Sequence, residues 1–245
     1  VGGLAHYIEE EGVPTTQISL IREHTEKIKP PRALWVSFEL GRPLGAPDDA
    51  AFQPRVLTAA LDLLEAPSGP TIVAHAEDEP PSQGPATLVC PVSFAQPISD
   101  QSDVAQLSAK FKEEIALMRP WYDRSMEERK RTTVGVSGME PEAIGSFVTE
   151  FLDGDLPSSQ EDDSPGTQFK LATDDLKAFY FEAATARPGQ KDADGETLST
   201  WYFRETVAGK VLFAVRDAHT DSEDENLRRV VNGQLIPRVH ANFSP

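Results

Sequence analysis

The fold is decided by the stretch Arg32-Ala33-Leu34-Trp35-Val36-Ser37-Phe38. Apolar and aromatic residues dominate it, as they do in buried strands, and two prolines stop the helix predicted before it at residues 21–28. A shorter strand is predicted upstream, at residues 15–20. Strands that alternate with helices at short spacing are typical of parallel sheets. The sequence therefore predicts an α/β protein with a Rossmann-like parallel sheet.

Further elements are predicted on both sides of this centre. The helix after residue 48 carries one apolar stripe, formed by Phe52, Val56, Leu57, Ala60, Leu61 and Leu64. A Pro-, Ser- and acid-rich stretch at 67–85 is a linker or surface loop with a short strand at 71–74, and two more strands are predicted at 87–92 and 132–138. The last third has helical periodicity. We expect an α/β domain over 1–156 and a helical carboxyl-terminal region over 157–245 packed on it.

Composition excludes several classes of protein. The formal charge of -17, from 40 acidic and 23 basic residues, repels phosphate backbones, so we expect no nucleic-acid partner. No apolar run reaches the roughly 18 residues that a membrane span needs. The single cysteine rules out an internal disulfide framework and fits a cytoplasmic location. The five histidines lack metal-ligand spacing, and we expect neither a metal nor a cofactor.

Cys90 is the first candidate for chemistry, because a thiol acts without a motif around it. At the end of the predicted strand 87–92 it can be a nucleophile or redox group facing a ligand crevice. Alternatively it is a small buried hydrophobe, the common role of a lone cysteine in an apolar run. No basic residue adjacent in sequence lowers the pKa of this thiol.

Two glycine turns are candidates for substrate binding. The loop Gly41-Arg42-Pro43-Leu44-Gly45 follows the central strand, where Arg42 can hold a carboxylate in a bidentate contact; the alternative is a rigid turn with a solvent-facing Arg42. Ser137 lies in Gly-Val-Ser-Gly, which lacks the second glycine of a hydrolase elbow. That turn can still present backbone N–H groups to a ligand.

Several segments together resemble the selenoprotein B family of glycine, sarcosine, betaine and D-proline reductases, and more closely its selenium-free bacterial relatives. The likeness covers most of the chain. The segments that carry it are Glu10-Glu11-Gly12-Val13-Pro14-Thr15, Pro31-Arg32-Ala33-Leu34, Gly41-Arg42-Pro43-Leu44-Gly45, Cys90-Pro91-Val92, Pro120-Trp121-Tyr122-Asp123, Thr133-Val134-Gly135-Val136-Ser137-Gly138, Asp175-Leu176-Lys177-Ala178-Phe179-Tyr180 and Glu205-Thr206-Val207-Ala208-Gly209.

The resemblance implies reductive cleavage of a carbon–nitrogen bond in a small amino acid or amine. These reductases use a selenocysteine or cysteine just before the helix at which this sequence begins, so we expect an upstream Cys lost by truncation, with Cys90 as its partner. Gly41, Arg42, Gly45 and Ser137 are then the expected substrate-binding residues, beside a partner reductase subunit. The alternative is a non-catalytic accessory subunit, in which the aromatic segments form the core and the contacts of a homo-oligomer.

Overall fold

A computed structural model describes residues 2–67, 69–80, 104–153, 156–157 and 164–243. Its contacts divide the chain into a first unit, Val1–Ser82, and a second unit, Gln83–Pro245. The sequence placed the boundary at 156/157 instead. The difference arises because the helices within 104–149 pack against those after residue 164 and share one apolar core with them.

The first unit is a small α/β layer structure. Helices α1 (Gly2–Glu10), α2 (Arg22–Ile28) and α3 (Gln53–Asp62) alternate with strands β1 (Gln17–Ser19), β2 (Arg32–Trp35) and β3 (Thr71–Ala74). In the described residues the sheet is parallel with the order β1-β2-β3, and Ile18, Leu34 and Val73 share one register position. The predicted strands within 15–20, 32–38 and 71–74 are confirmed, as is the mixed α/β class.

The core of the first unit lies between the sheet and one side of α3. Leu34, Val36 and Phe38 pack there with three members of the predicted stripe, Phe52, Val56 and Ala60. The other three members are partly exposed, and their inward placement was wrong: Leu57 is 47% exposed, Leu61 49% and Leu64 37%. The described three-stranded sheet covers only part of the apolar arc of α3.

A buried arginine ties the amino-terminal end of β2 to its surroundings. Arg32 is 8% exposed and donates to Oε1 of Glu9 at 2.6 Å and twice to the carbonyl of Ala66, at 2.8 and 3.1 Å. Glu9 also accepts from the backbone N–H of Thr15 at 2.7 Å and from its hydroxyl at 2.9 Å. The bond from the Thr15 N–H is the main cause that lowers the pKa of Glu9, with further lowering by Arg32. The network joins α1, β2 and the chain after α3.

All the regular secondary structure in the described residues of the second unit is helical. Its helices are α4 (Val104–Arg129), α5 (Pro141–Thr149), α6 (Pro165–Thr185), α7 (Gly195–Glu205), α8 (Val207–His219) and α9 (Glu225–Gly233). Leu176, Phe179, Tyr180 and Ala183 of α6 are fully buried, as the periodicity predicted. The predicted strand at 132–138 was wrong, since those residues form a turn, and the one predicted at 87–92 lies outside the described residues.

Glu114 places a carboxylate inside the core of the second unit. The side chain is 3% exposed and accepts from the first two N–H groups of α8, those of Val207 and Ala208, each at 2.9 Å. The Tyr180 hydroxyl donates to it at 2.8 Å. Burial raises the pKa of Glu114, and the three hydrogen bonds offset only part of that effect. A buried acid thus occupies the positive end of a helix.

Candidate functional site

The carboxyl ends of β2 and β3 form the candidate site of the first unit. Two loops leave the sheet there, residues 36–47 after β2 and 75–80 after β3. Because β2 and β3 are parallel, both loops start from the same edge, which is where open α/β sheets hold their ligands. The Gly41–Gly45 turn lies in the first loop, as the sequence predicted.

Side chains of the two loops meet one another. The hydroxyl of Ser37 donates to Oδ1 of Asp78 at 2.7 Å, and the ring of Phe38 stands edge-on to His75 with centroids 6.0 Å apart. Arg42 Nη1 lies 3.4 Å from a Glu39 carboxylate oxygen in its own loop and 3.9 Å from Glu79 in the other. These contacts tie the loops together across the sheet edge.

The backbone conformation of the Gly41–Gly45 turn explains why both of these positions are glycine. Gly41 has φ +94° and Gly45 has φ +85°, a region that side-chain-bearing residues rarely adopt. A Cβ on Gly45 would lie 2.8 Å from the ring of Phe52, whereas one on Gly41 would meet no heavy atom within 4 Å. The chain therefore turns at these two glycines, and the side chain of Arg42 between them is 26% exposed. Its guanidinium stands near two carboxylates, at distances longer than strong hydrogen bonds.

A cavity of about 580 Å³ opens between α3 and the carboxyl ends of β2 and β3. Its apolar wall comes mainly from Leu34, Pro54, Ala59, Val73 and Ala74, and its polar groups are Arg55, Thr58, Asp62, His75 and Glu77. One cation and two carboxylates therefore border a mostly apolar space.

Arg55 and Glu77 form the charged pair at this cavity. Arg55 Nε donates to both Glu77 oxygens, at 3.1 and 3.2 Å, and Nη2 donates to one of them at 2.9 Å. This hydrogen bonding raises the pKa of Arg55 and lowers that of Glu77. The two side chains are about half exposed, so a ligand can reach both. The sequence does not indicate this pair, since neither residue lies in a motif and 22 residues separate them.

His75 is the other polar group that the sequence undervalued. It was interpreted as part of an exposed acidic loop, but its ring packs edge-on against Phe38 and Phe52, with centroids 6.0 and 6.2 Å away. The Nε2 atom is buried and has no hydrogen-bond partner among the described residues. The backbone N–H of His75 donates to the carbonyl of Trp35 at 2.8 Å, which continues the β2–β3 hydrogen-bond ladder one residue beyond β3. His75 thus forms part of an aromatic wall beside the cavity.

Ser137 lies in the second unit, where its turn already holds an anion from the protein itself. The carboxylate of Asp175 accepts from the N–H groups of Gly135, Val136 and Ser137 at 2.8, 3.1 and 2.8 Å, and from the Ser137 hydroxyl at 2.6 Å. Burial raises the pKa of Asp175, but these hydrogen bonds outweigh it and the pKa is lowered. The turn does present N–H groups, as predicted, and α6 supplies their acceptor.

The predicted site residues therefore fall into three groups. Gly41, Arg42 and Gly45 stand together at the sheet edge of the first unit, and Ser137 belongs to a closed turn of the second. Cys90 lies outside the described residues. In the described ranges, no three His, Cys, Asp or Glu side chains are grouped to hold a metal ion. None of the helices in those ranges combines the length and apolarity of a membrane span.

Comparison with known proteins finds no matching family model, no matching curated protein and no matching solved structure.

Proposed function

We propose that this chain is a relative of the thiol- or selenol-dependent reductases that cleave the carbon–nitrogen bond of glycine, betaine, sarcosine or proline. In this proposal the first unit is the core of a Rossmann-like sheet that binds the small amino acid or amine. The protein acts in the cytoplasm with a partner reductase subunit. The observation that carries the proposal is the mixed-charge cavity beside the carboxyl ends of β2 and β3.

The polar groups at this edge match the two ends of an amino acid. A substrate carboxylate takes the guanidinium of Arg42 or Arg55 in a bidentate contact, displacing a protein carboxylate from it. A substrate ammonium lies against Glu77 or Asp62, and the apolar wall accommodates carbon atoms. Because Arg55 and Glu77 neutralise each other, a zwitterion can replace their pairing without adding net charge.

The reaction class also requires a thiol, and Cys90 is the single cysteine of the sequence. We propose that it works with a further thiol or selenol. An activated thiolate reacts with iodoacetamide faster than free cysteine at about pH 7. A Cys90 that reacts no faster would instead support the interpretation as a buried hydrophobe.

Calorimetry tests the binding proposal directly. Glycine, betaine and proline are titrated into the full chain and into its Arg42→Ala and Arg55→Ala variants. We expect saturable binding of at least one compound, weakened about tenfold or more in the variant that lacks the arginine contacting the substrate carboxylate. Arg124→Ala is the matched control, since Arg124 has the same 49% side-chain exposure as Arg55 and pairs with Glu128 in the second unit. Equal affinity in all three variants would refute the assignment.

A second candidate is a non-catalytic subunit that binds a partner chain or forms a homo-oligomer. It is favoured by the exposed apolar side chains of the first unit: Leu57 and Leu61 on α3, Leu64 just after α3, and Leu4 and Tyr7 on α1. Light scattering of the wild type and of a Leu57→Lys, Leu61→Lys double variant tests it. An assembly that the double variant dissociates supports this role, and a monomeric wild type that retains no partner counts against it.

A further inference from the structure

The segment at residues 237–243 is held on the second unit by a buried histidine. His240 is 3% exposed, whereas Val239 before it is 77% exposed. The segment forms tight turns of its own, in which the N–H groups of His240, Ala241 and Phe243 donate to Pro237, Arg238 and His240 at 2.9, 3.2 and 2.9 Å. Its attachment to the helices depends on side chains.

The hydrogen bonds of His240 define which ring nitrogen carries the proton. Arg204 Nε donates to Nδ1 at 3.2 Å, and a guanidinium has no acceptor, so Nδ1 must be unprotonated. The neutral ring then has its proton on Nε2 and donates to Ser199 Oγ at 3.0 Å. Ser199 and His240 are therefore not a nucleophile and its base, because the base needs a lone pair facing the hydroxyl.

Arg204 holds the same segment at three points. Besides Nδ1 of His240, it donates through Nη2 to the Val239 carbonyl at 3.3 Å and lies 5.3 Å from the ring centroid of Phe243. From α8, Arg216 donates to the Ala241 carbonyl at 3.2 Å. Phe203 of α7 packs on the histidine ring with centroids 5.3 Å apart.

The charged groups that donate to the segment from these two helices are Arg204 of α7 and Arg216 of α8, and Arg216 is also paired with the exposed carboxylate of Asp217. Within the described part of the chain, no carboxylate pairs with the His240 ring, and Arg204 is the charge that acts on it. An imidazolium at this position would face a guanidinium instead of accepting from it. It would then have no countercharge to stabilise it.

We propose that His240 is an acid-sensitive latch, and that its protonation releases residues 237–243 from α7 and α8. Protonation of Nδ1 removes the acceptor of Arg204 and places two positive groups about 3 Å apart. Release uncovers the rings of Phe203 and Phe213, which are 2% and 1% exposed in the closed state. The latch is independent of the proposed reductase activity, because it uses none of the residues to which binding or thiol chemistry is assigned.

The direction of the pH dependence follows from the closed structure. Burial, and then the charge of Arg204, lower the pKa of His240 below its ordinary value. A released histidine has the ordinary pKa of about 6.5, so the released state binds the proton more tightly. The closed state is therefore fully favoured above about pH 6.5 and loses up to about tenfold in population ratio per pH unit below it.

Hydrogen–deuterium exchange of the full chain tests the latch. Rates are measured near about pH 7.5 and about pH 5, corrected for the intrinsic pH dependence of exchange. We expect peptides covering 237–243 to lose protection at the lower pH, while α6 peptides keep theirs. His240→Gln, which cannot titrate, is expected to remove the pH dependence. Equal protection of the wild-type segment at both values would overturn the proposal.

NMR of the histidine ring gives an independent readout. We expect the Nε2–H tautomer near about pH 7.5, and a titration midpoint that coincides with the loss of protection in 237–243. A ring protonated at Nδ1 near neutral pH would overturn the proposal. If His240→Gln is open at both pH values, the wild type decides: coincident midpoints support the latch, and separate midpoints refute it.

Discussion

Removing the carboxylate of Asp175 is expected to destabilise the second unit strongly, because one side chain satisfies four donors of the turn around Ser137. Asp175 is 0% exposed, and its acceptor distances lie between 2.6 and 3.1 Å. A hydrogen bond to a charged group contributes about 1.5–3 kcal/mol, and losing its acceptor leaves the donors to find water. We propose Asp175→Ala and Asp175→Asn as the two perturbations.

Because part of the turn is exposed to water, removing the Asp175 carboxylate lowers the free energy of unfolding by a limited amount. Gly135 is exposed and Val136 is 59% exposed, so water can reach two of the freed N–H groups. We therefore expect a loss of about 3–4 kcal/mol for Asp175→Ala, less than the sum of four separate bonds. Asp175→Asn is expected to lose about 2 kcal/mol, since its oxygen still accepts while its NH₂ faces a donor.

Urea unfolding followed by far-UV circular dichroism measures these losses in the full chain. The matched control is Asp174→Ala, because Asp174 is the neighbouring residue, is 43% exposed and pairs on the surface with Lys170. Its loss should stay below about 1 kcal/mol. The lowered pKa of Asp175 adds a second check: its stabilisation is present above the ordinary Asp pKa of about 3.9 and fades as the pH falls below it. An Asp175→Ala variant as stable as Asp174→Ala would refute this account of the turn.

Three further predictions concern single side chains. Glu114→Gln should gain stability relative to the wild type as the pH rises from about 4.5, because the raised pKa of Glu114 makes its ionisation cost stability above that value. Urea unfolding midpoints of both proteins at several pH values measure this gain. A difference between the two midpoints that stays constant with pH would contradict it. Gly45→Ala should lower the free energy of unfolding by about 2 kcal/mol, because of its positive φ and the contact of the new Cβ with Phe52. Gly41→Ala should lower it by about 1 kcal/mol, because of its positive φ alone. Equal unfolding midpoints for the two variants would contradict this. Arg32→Ala should lose about 3 kcal/mol, because Arg32 is buried and makes three hydrogen bonds; a variant that unfolds at the wild-type urea concentration would contradict it.

Strands β2 and β3 of the first unit were predictable because they are short, largely apolar and directly preceded by a proline. The turn at 132–138 was not predictable from the same kind of pattern. Its Thr and Val residues have high β propensity, but the carboxylates of Asp175 and Glu182 take the backbone N–H groups that a neighbouring strand would need. Acceptors about 40 and 50 residues away therefore override the local preference.

The candidate site was predictable only in part. Gly41 and Gly45 indicated a turn after the central strand, and the turn is there. The Arg55–Glu77 pair depends on β3 returning beside β2, so no local pattern marks it. The apolar stripe predicted that α3 has a buried face, but it did not predict how wide that face is. The width depends on how many strands lie beneath the helix.

The position of the Arg32 network determines which substitutions the first unit can tolerate during evolution. It anchors the amino-terminal end of β2, while the Gly41–Gly45 loop and the cavity occupy the carboxyl end. Substitutions of the polar side chains at the carboxyl end, other than at Gly41 and Gly45, should therefore alter the proposed ligand specificity at little cost in folding, and those at Arg32 or Glu9 should do the reverse. A library randomised at positions 39, 42, 55 and 77 is accordingly expected to yield many folded variants with divergent ligand preferences.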